Sequence, residues 1–361
     1  AWTDVVQVVL LVLGGLVTTF IALDHVTPDG GVMNGLAHIY DVAGDKFHMI
    51  LDRSNPEFDN LPGIAVLVGG MWVANLYYWG FNQYIIQRTL AAKSLEESQK
   101  GIVFAAFLKL IIPLIVVIPG IIAYVMYTQP EGTAHINGVV DAFTKANGTT
   151  DNDNAYPWLI SVFVTPGFKG LVVAALAAAI VSSLASMLNS IATIFTMDIY
   201  KPYINKNASD KQTVNVGRIT AAIALVISVL LAPQLSSVPQ VFQYIQEYTG
   251  LVSPGILAVF MMGLFWKKTT TKAAIVGVLS SIVIALLLKV EALGLPFMDQ
   301  MYYTLILTIV IIAGVSLTTN PEDDDPKAIH TTASTFKTSK NFNIGAYAVL
   351  IITAFLYAVF W

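Results

Sequence analysis

Two serines stand side by side in VSSLASMLNSIATIFTMD, residues 181–198, within a stretch otherwise apolar enough to cross a bilayer. Neutral hydroxyls, joined by carbonyls released where a helix breaks, replace the water of a hard cation such as Na⁺ without adding a second charge. Ser182 and Ser183 follow a run of alanines that includes Ala179, and a cation seat is one reading of the pair. The other is structural. At about 100° per residue, Ser182, Ser186, Asn189, Ser190, Thr193 and Thr196 share one helical stripe, where hydroxyls bond across an interface or to their own backbone.

A second constellation lies in MWVANLYYWGFNQYIIQRTL, residues 71–90. Asn75, Tyr78, Trp79, Asn82 and Gln83 fall on one face of about 140°. Polar side chains within a span turn to the bundle interior or a wet cavity. Amides that bond hydroxyls, beside an aromatic plane that takes a C–H face, suit a sugar; an interhelical polar cluster is the alternative. Gly80 offers this helix a place to unwind. Lys109, in GIVFAAFLKLIIPLIV, is ionisable at mid-span, which costs at least about 2.5 kcal/mol and calls for a partner or a polar cavity. Gln246 and Glu247 precede Gly250 and Pro254, where a helix can break. Asp4 stands at the mouth of the first apolar run, either merely interfacial or attracting a cation.

The elements that must position these residues are membrane helices. Of 361 residues 56% are hydrophobic and 12% charged, against about 25% charged in a soluble domain, and the mean hydropathy is +0.69. Apolar runs at 5–23, 64–86, 102–127, 171–197, 219–234, 240–266, 273–289, 302–317 and 344–361 approach or exceed the roughly 17–25 residues of a spanning helix. They lack the alternation of barrel strands, so the fold class is an all-α integral membrane protein. Basic residues cluster in the loops that are inside if residue 1 is cytoplasmic (Arg88, Lys93, Lys100, Lys201, Lys206, Lys267, Lys268 and others). Fewer fall outside: Lys46, Arg53, Lys145, Lys169 and Lys289. Trp361 then lies outside.

Two long outer loops, 24–63 and 128–170, have room for short helices, and the inner loop 319–343 with NPEDDDP reads as a solvated linker. His25, His38, His48, His135 and His330 are scattered over loops without ligand spacing. The chain has no cysteine, hence no disulfide or thiolate site, and its net charge of -4 points to no nucleic-acid partner. No nucleophile with a base, metal cluster or phosphate loop occurs at usable spacing, so no enzyme activity is expected. Residue 1 is Ala, close to an abrupt apolar run, and an upstream segment is expected.

WTDVVQ at 2–7, NQYIIQRTLAAKS at 82–94 and AALAAAIVSSLASMLNSIATIFTMDIYK at 174–201 resemble the sodium:solute symporter family, and the resemblance runs the length of the chain. It implies ten core helices in two inverted repeats of five, flanked by peripheral helices, as in amino-acid transporters of the same architecture. Residues 1–23 would be the fifth helix of the first repeat, whose other four helices are absent, and 24–63 an outer loop. Residues 64–266 would form the second repeat, with 128–170 an outer loop. Then follow two peripheral helices (267–318), a cytoplasmic linker (319–343) and a last peripheral helix (344–361). By the same resemblance Asn75, Lys109 and Gln246 hydrogen-bond a sugar, Tyr78 stacks beneath it and closes the inner route, and Phe242 forms part of the outer gate. Ser182, Ser183 and the Ala179 carbonyl hold Na⁺, and Asp4 lies on the ion's exit path. The implied function is Na⁺-coupled uptake of a monosaccharide, galactose or glucose, by alternating access in a bacterial inner membrane. The alternatives are another solute (an amino acid, vitamin or anion), or a sugar sensor or Na⁺ channel on the same scaffold. Oligomeric state is not legible.

Overall fold

The structure, a computed structural model, describes residues 2–129, 142–145, 148, 150–238, 240–290, 293–319 and 331–361. His135 and His330 lie outside the described residues. Among the described residues there is no strand, only an isolated bridge between Thr144 and Thr150. The helices are α1 (Trp2–His25), α2 (Val32–Ala43), α3 (Ala65–Val68), α4 (Gly70–Gly80), α5 (Gln83–Leu90), α6 (Leu95–Ile115) and α7 (Val117–Thr128). They continue as α8 (Ala155–Phe163), α9 (Pro166–Ile194), α10 (Asp210–Leu231), α11 (Val241–Phe265), α12 (Thr271–Leu288), α13 (Phe297–Thr318) and α14 (Lys340–Val359). Among the described residues eight stretches are long and apolar enough to cross a membrane, and the chain is a multi-pass membrane protein.

Local chemistry sets the helix ends. Ser209 and Gln212 close a capping box at the start of α10. Thr270 caps α12 and Ser339 caps α14 by accepting from backbone N–H groups, while Pro166 occupies the first turn of α9, where a missing N–H is harmless. The two long loops, 24–63 and 128–170, carry α2 and α8. The run 64–86, read from sequence as one span, is instead three pieces. The chain leaves helical geometry at Gly69 (φ −115°, ψ −122°) and again at Phe81 (φ −130°), directly after Gly80, and Asn82 then caps α5 through Tyr84 N. A second break separates α6 from α7 at Val116, three residues after Pro113, and there Thr19 of α1 donates to the Leu114 carbonyl at 2.9 Å. That bond answers one of the acceptors a helix end leaves open.

The helices form two compact units, and each draws on separated parts of the chain. The first comprises residues 1–47 and 106–241. Its core joins Leu23 of α1 and Val26 just beyond it, Ile39 of α2, Ile122 and Met126 of α7, and Trp158 and Leu159 of α8. Further along, Val172 of α9 packs with Ile160 and Val164. The close approach of α2 to α1 requires Gly35, where a Cβ would stand 1.9 Å from the Leu23 carbonyl oxygen.

The second unit comprises residues 48–105 and 242–361. Val73 of α4, Leu257 of α11 and Met301 of α13 make one cluster, and Ala258, Ala273 and Ile312 another. Small residues let these helices meet, as is usual in lipid. A Cβ on Gly70 would lie 2.0 Å from the Met298 carbonyl oxygen. Thr304, Thr308 and Ser316 are fully buried; Thr304 and Thr308 each donate at 2.7 Å to the carbonyl four residues earlier. Gln99 of α6, 8% exposed, donates to the Lys337 carbonyl at 3.4 Å and accepts from Ser339 N at 3.0 Å, holding the approach to α14.

Two outcomes follow from this packing. Gly70→Ala should lower the melting temperature of the purified protein, since overpacking of this kind costs about 1–3 kcal/mol, while Gly101→Ala, with nothing within 4 Å, should leave it unchanged or raise it. Gln99→Leu strands a carbonyl and an N–H at about 1 kcal/mol each, so trypsin should cut after Lys337 faster than in the unsubstituted protein.

Candidate functional site

Asp4, Ser182, Ser183 and Ala179 all lie in the first unit. Ser182 lies near the middle of α9, a helix of 29 residues, and its Oγ donates to Asp4 Oδ1 in the first turn of α1 at 2.7 Å. The acid sits at a helix N-terminus, where the exposed N–H groups favour negative charge. A hydroxyl whose proton is committed to a carboxylate turns its lone pairs elsewhere, as a cation ligand must. Ser182 and Ala179 are half-buried and Ser183 is exposed. This donor set is all hard oxygen, with one nearby charge, and fits an alkali cation. A softer metal finds no such seat among the described residues, which hold no group of three His, Cys, Asp or Glu side chains that could bind one.

The rest of the hydroxyl stripe divides from this pair by its hydrogen bonds. Ser186 donates to the Ser182 carbonyl at 3.0 Å, Thr193 to Asn189 at 2.8 Å and Thr196 to Ala192 at 2.7 Å. These hydroxyls close on their own helix, which is the structural reading of the stripe. Ser182 is distinguished by reaching a different helix.

The amide and aromatic residues lie in the second unit, on both sides of the break after Gly80. Asn75 is half-buried and donates to the Met71 carbonyl at 2.9 Å. Tyr78 is paired with Tyr84 through their hydroxyls, their rings edge to face at 5.8 Å. In a continuous helix residues six apart point about 120° away from each other; the interruption at Phe81 and Asn82 brings them together. Tyr84 was therefore invisible to helical periodicity, and the signal for it was Gly80 itself. Gln246 and Phe242 sit in the first turns of α11, both exposed, Phe242 at 75%. Lys109 belongs to the first unit and its side chain is exposed. Asp4 and Ser182 are thus brought into contact, and Asn75 and Tyr78 share one short helix. Among the described residues no hydrogen bond joins Asn75, Tyr78 and Gln246.

Comparison with known proteins places the chain. Residues 1–281 match the model of the sodium:solute symporter family. The chain is 60% identical over 360 residues to a sodium/glucose cotransporter of Vibrio parahaemolyticus, covering 100% of this chain and 66% of that protein. It is 32% identical over 355 residues to human sodium/myo-inositol cotransporter 2, covering 89% of this chain and 51% of the relative. It therefore spans between half and two thirds of the length of these relatives. A solved Na⁺-coupled sialic acid symporter, in a substrate-bound outward-open state, superposes with a TM-score of 0.68 at 24% identity over 89% of this chain and 62% of that one, a likeness of fold. By the extent of the family match and the identity to these relatives, the chain belongs to the sodium:solute symporter family.

Proposed function

We propose that this chain is part of a transporter of the bacterial inner membrane that carries a monosaccharide, galactose or glucose, inward with Na⁺. The observation that carries the reading is the 60% identity, along 360 residues, to a protein named for sodium and glucose. The contact between Ser182 and Asp4 supports the ion half of it.

No bond is made or broken in this mechanism, which is transport and not catalysis. Na⁺ is drawn toward the oxygens of Ser182, Ser183 and Ala179, with Asp4 beside the path by which it leaves. Sugar hydroxyls are met by Asn75, Lys109 and Gln246, and the ring by Tyr78. Because Ser182 and Asp4 belong to different helices, an ion that engages both fixes α9 against α1. If sugar binds that arrangement more tightly, each ligand raises the affinity of the other by the same factor. One Na⁺ crossing 100 mV contributes about 2.3 kcal/mol, and a factor of ten in concentration corresponds to about 1.4 kcal/mol, so a single coupled ion sustains a substantial gradient. Tyr78 closes the inner route with its hydroxyl tied to Tyr84, and its release is the inner gating step. Phe242 belongs to the outer gate.

The 32% identity to a protein named for myo-inositol favours a cyclic polyol as the second reading. Both solutes present a ring of hydroxyls to the same amides.

Reconstitution in liposomes tests the proposal. Na⁺-driven accumulation of labelled galactose or glucose is expected, with myo-inositol as competitor to rank the two readings. Ser183→Ala and Ser182→Ala should each raise the Na⁺ concentration for half-maximal uptake by about tenfold, the effect of losing one ligand worth about 1.4 kcal/mol. Lys109→Ala should abolish sugar accumulation in protein that still purifies as a folded species. Uptake at the original level in both the Ser183 and Lys109 variants defeats the assignment.

A further inference from the structure

The second unit holds a cavity of about 450 Å³ whose lining includes none of the residues assigned above. Its walls come from α11, α12 and α13 and from the loop segment at Asp59 and Asn60. Leu251, Phe297 and Met301 contribute apolar surface, and the mouth carries Glu247, Lys289, Asp59 and Gln300.

Its depth in the membrane follows from the helices. At about 1.5 Å per residue the 18 residues of α12 rise about 27 Å, close to the hydrocarbon thickness of about 30 Å. Lys289 is the residue that ends this helix, and Phe297 begins α13 after a turn through Gly294 at φ +55°. The mouth therefore stands at headgroup level and the cavity descends about two turns among the helix ends.

Its polar groups are matched unevenly. Lys289 Nζ lies 3.4 Å from Glu247 Oε2 and 4.7 Å from the centre of the Tyr248 ring. Asp59 adds a second carboxylate with no partner among the described residues. Gln300 spends its amide N–H on the Leu295 carbonyl at 2.6 Å, and Asn60 spends its own on Glu57 Oε2 at 2.7 Å. What remains is acceptor capacity, two carboxylates against one ammonium. An occupant must bring N–H or O–H donors and positive charge. The single lysine, held by a long and partly exposed pair with Glu247 and by the Tyr248 ring, offers an anionic group its counterpart. Glu247 and Lys289 can then each exchange their mutual contact for one with the ligand.

We propose that this cavity binds a zwitterion with a primary ammonium and an anionic phosphate, the chemistry of phosphoethanolamine. Glu247, Asp59 and the Gln300 carbonyl oxygen take the ammonium, and Lys289 takes the phosphate. A quaternary ammonium is disfavoured because it has no N–H to give these acceptors, and the nearby Tyr248 face that would attract one is already covered by Lys289.

The test is native mass spectrometry of the purified protein equilibrated with equal phosphatidylethanolamine and phosphatidylcholine. The protein should retain the primary-amine lipid about tenfold over the choline lipid, and Glu247→Gln and Asp59→Asn should each remove most of that preference, as the loss of one charged hydrogen bond predicts. Asp59 lies on the loop, so its variant keeps the test valid if the Glu247 variant misfolds. Soluble O-phosphoethanolamine is then added. Displacement of the lipid identifies the free zwitterion as a sufficient ligand, and retention identifies the bilayer lipid as the occupant. Equal retention of both lipids, or a preference that survives both substitutions, overturns the proposal.

Discussion

A hydroxyl, amide or open carbonyl in hydrocarbon must find its partner within the protein, because no water is there to serve it. The consequence runs through this chain. Thr18, Thr193, Thr196, Thr304 and Thr308 all donate back to a carbonyl four residues earlier. Each is satisfied locally and needs nothing from a neighbour. Other polar groups reach beyond their own helix and mark where helices are tied together, among them Thr19 to the carbonyl of Leu114, Ser182 to Asp4, Thr270 to Thr319 and Gln99 to the segment before α14.

That distinction separates a hydroxyl that joins two helices from those that close on their own within a single stripe. Six polar residues repeat along α9 and the turn that follows it, and periodicity cannot rank them. A hydroxyl closed on its own backbone is committed, whereas Ser182 binds a carboxylate of a different helix in a setting of neutral oxygens and one negative charge. The bond between Ser182 and Asp4 therefore acts between α9 and α1 rather than within one helix.

Helix breaks are the second organising feature. Gly69, Gly80 and Val116 interrupt what would otherwise be continuous spans. Each break opens backbone groups, and side chains close them: Asn82 caps α5, and Thr19 answers Leu114. The break after Gly80 also sets Tyr78 against Tyr84. The cavity of the second unit belongs to the same logic, since helix ends at the membrane boundary leave acceptors and charges that a straight span would hide.

Helix type, membrane class and most span positions were legible because apolar length and composition act residue by residue, and caps such as Ser209 and Ser339 act within one turn. The single polar face read across Asn75, Tyr78, Trp79, Asn82 and Gln83 does not form, because the helix ends at Gly80 and a new one begins at Gln83. The division of the segment 64–86 into three helices was not legible, because the cost of a broken turn depends on partners that close it. Nor was the contact of Asp4 with Ser182, separated by 178 residues. The meeting of Glu247, Lys289 and Asp59 at one cavity likewise depends on three helices and a loop. Local propensity is written in neighbouring residues, whereas contacts between distant ones exist only after helices pack, and tertiary structure alone decided them.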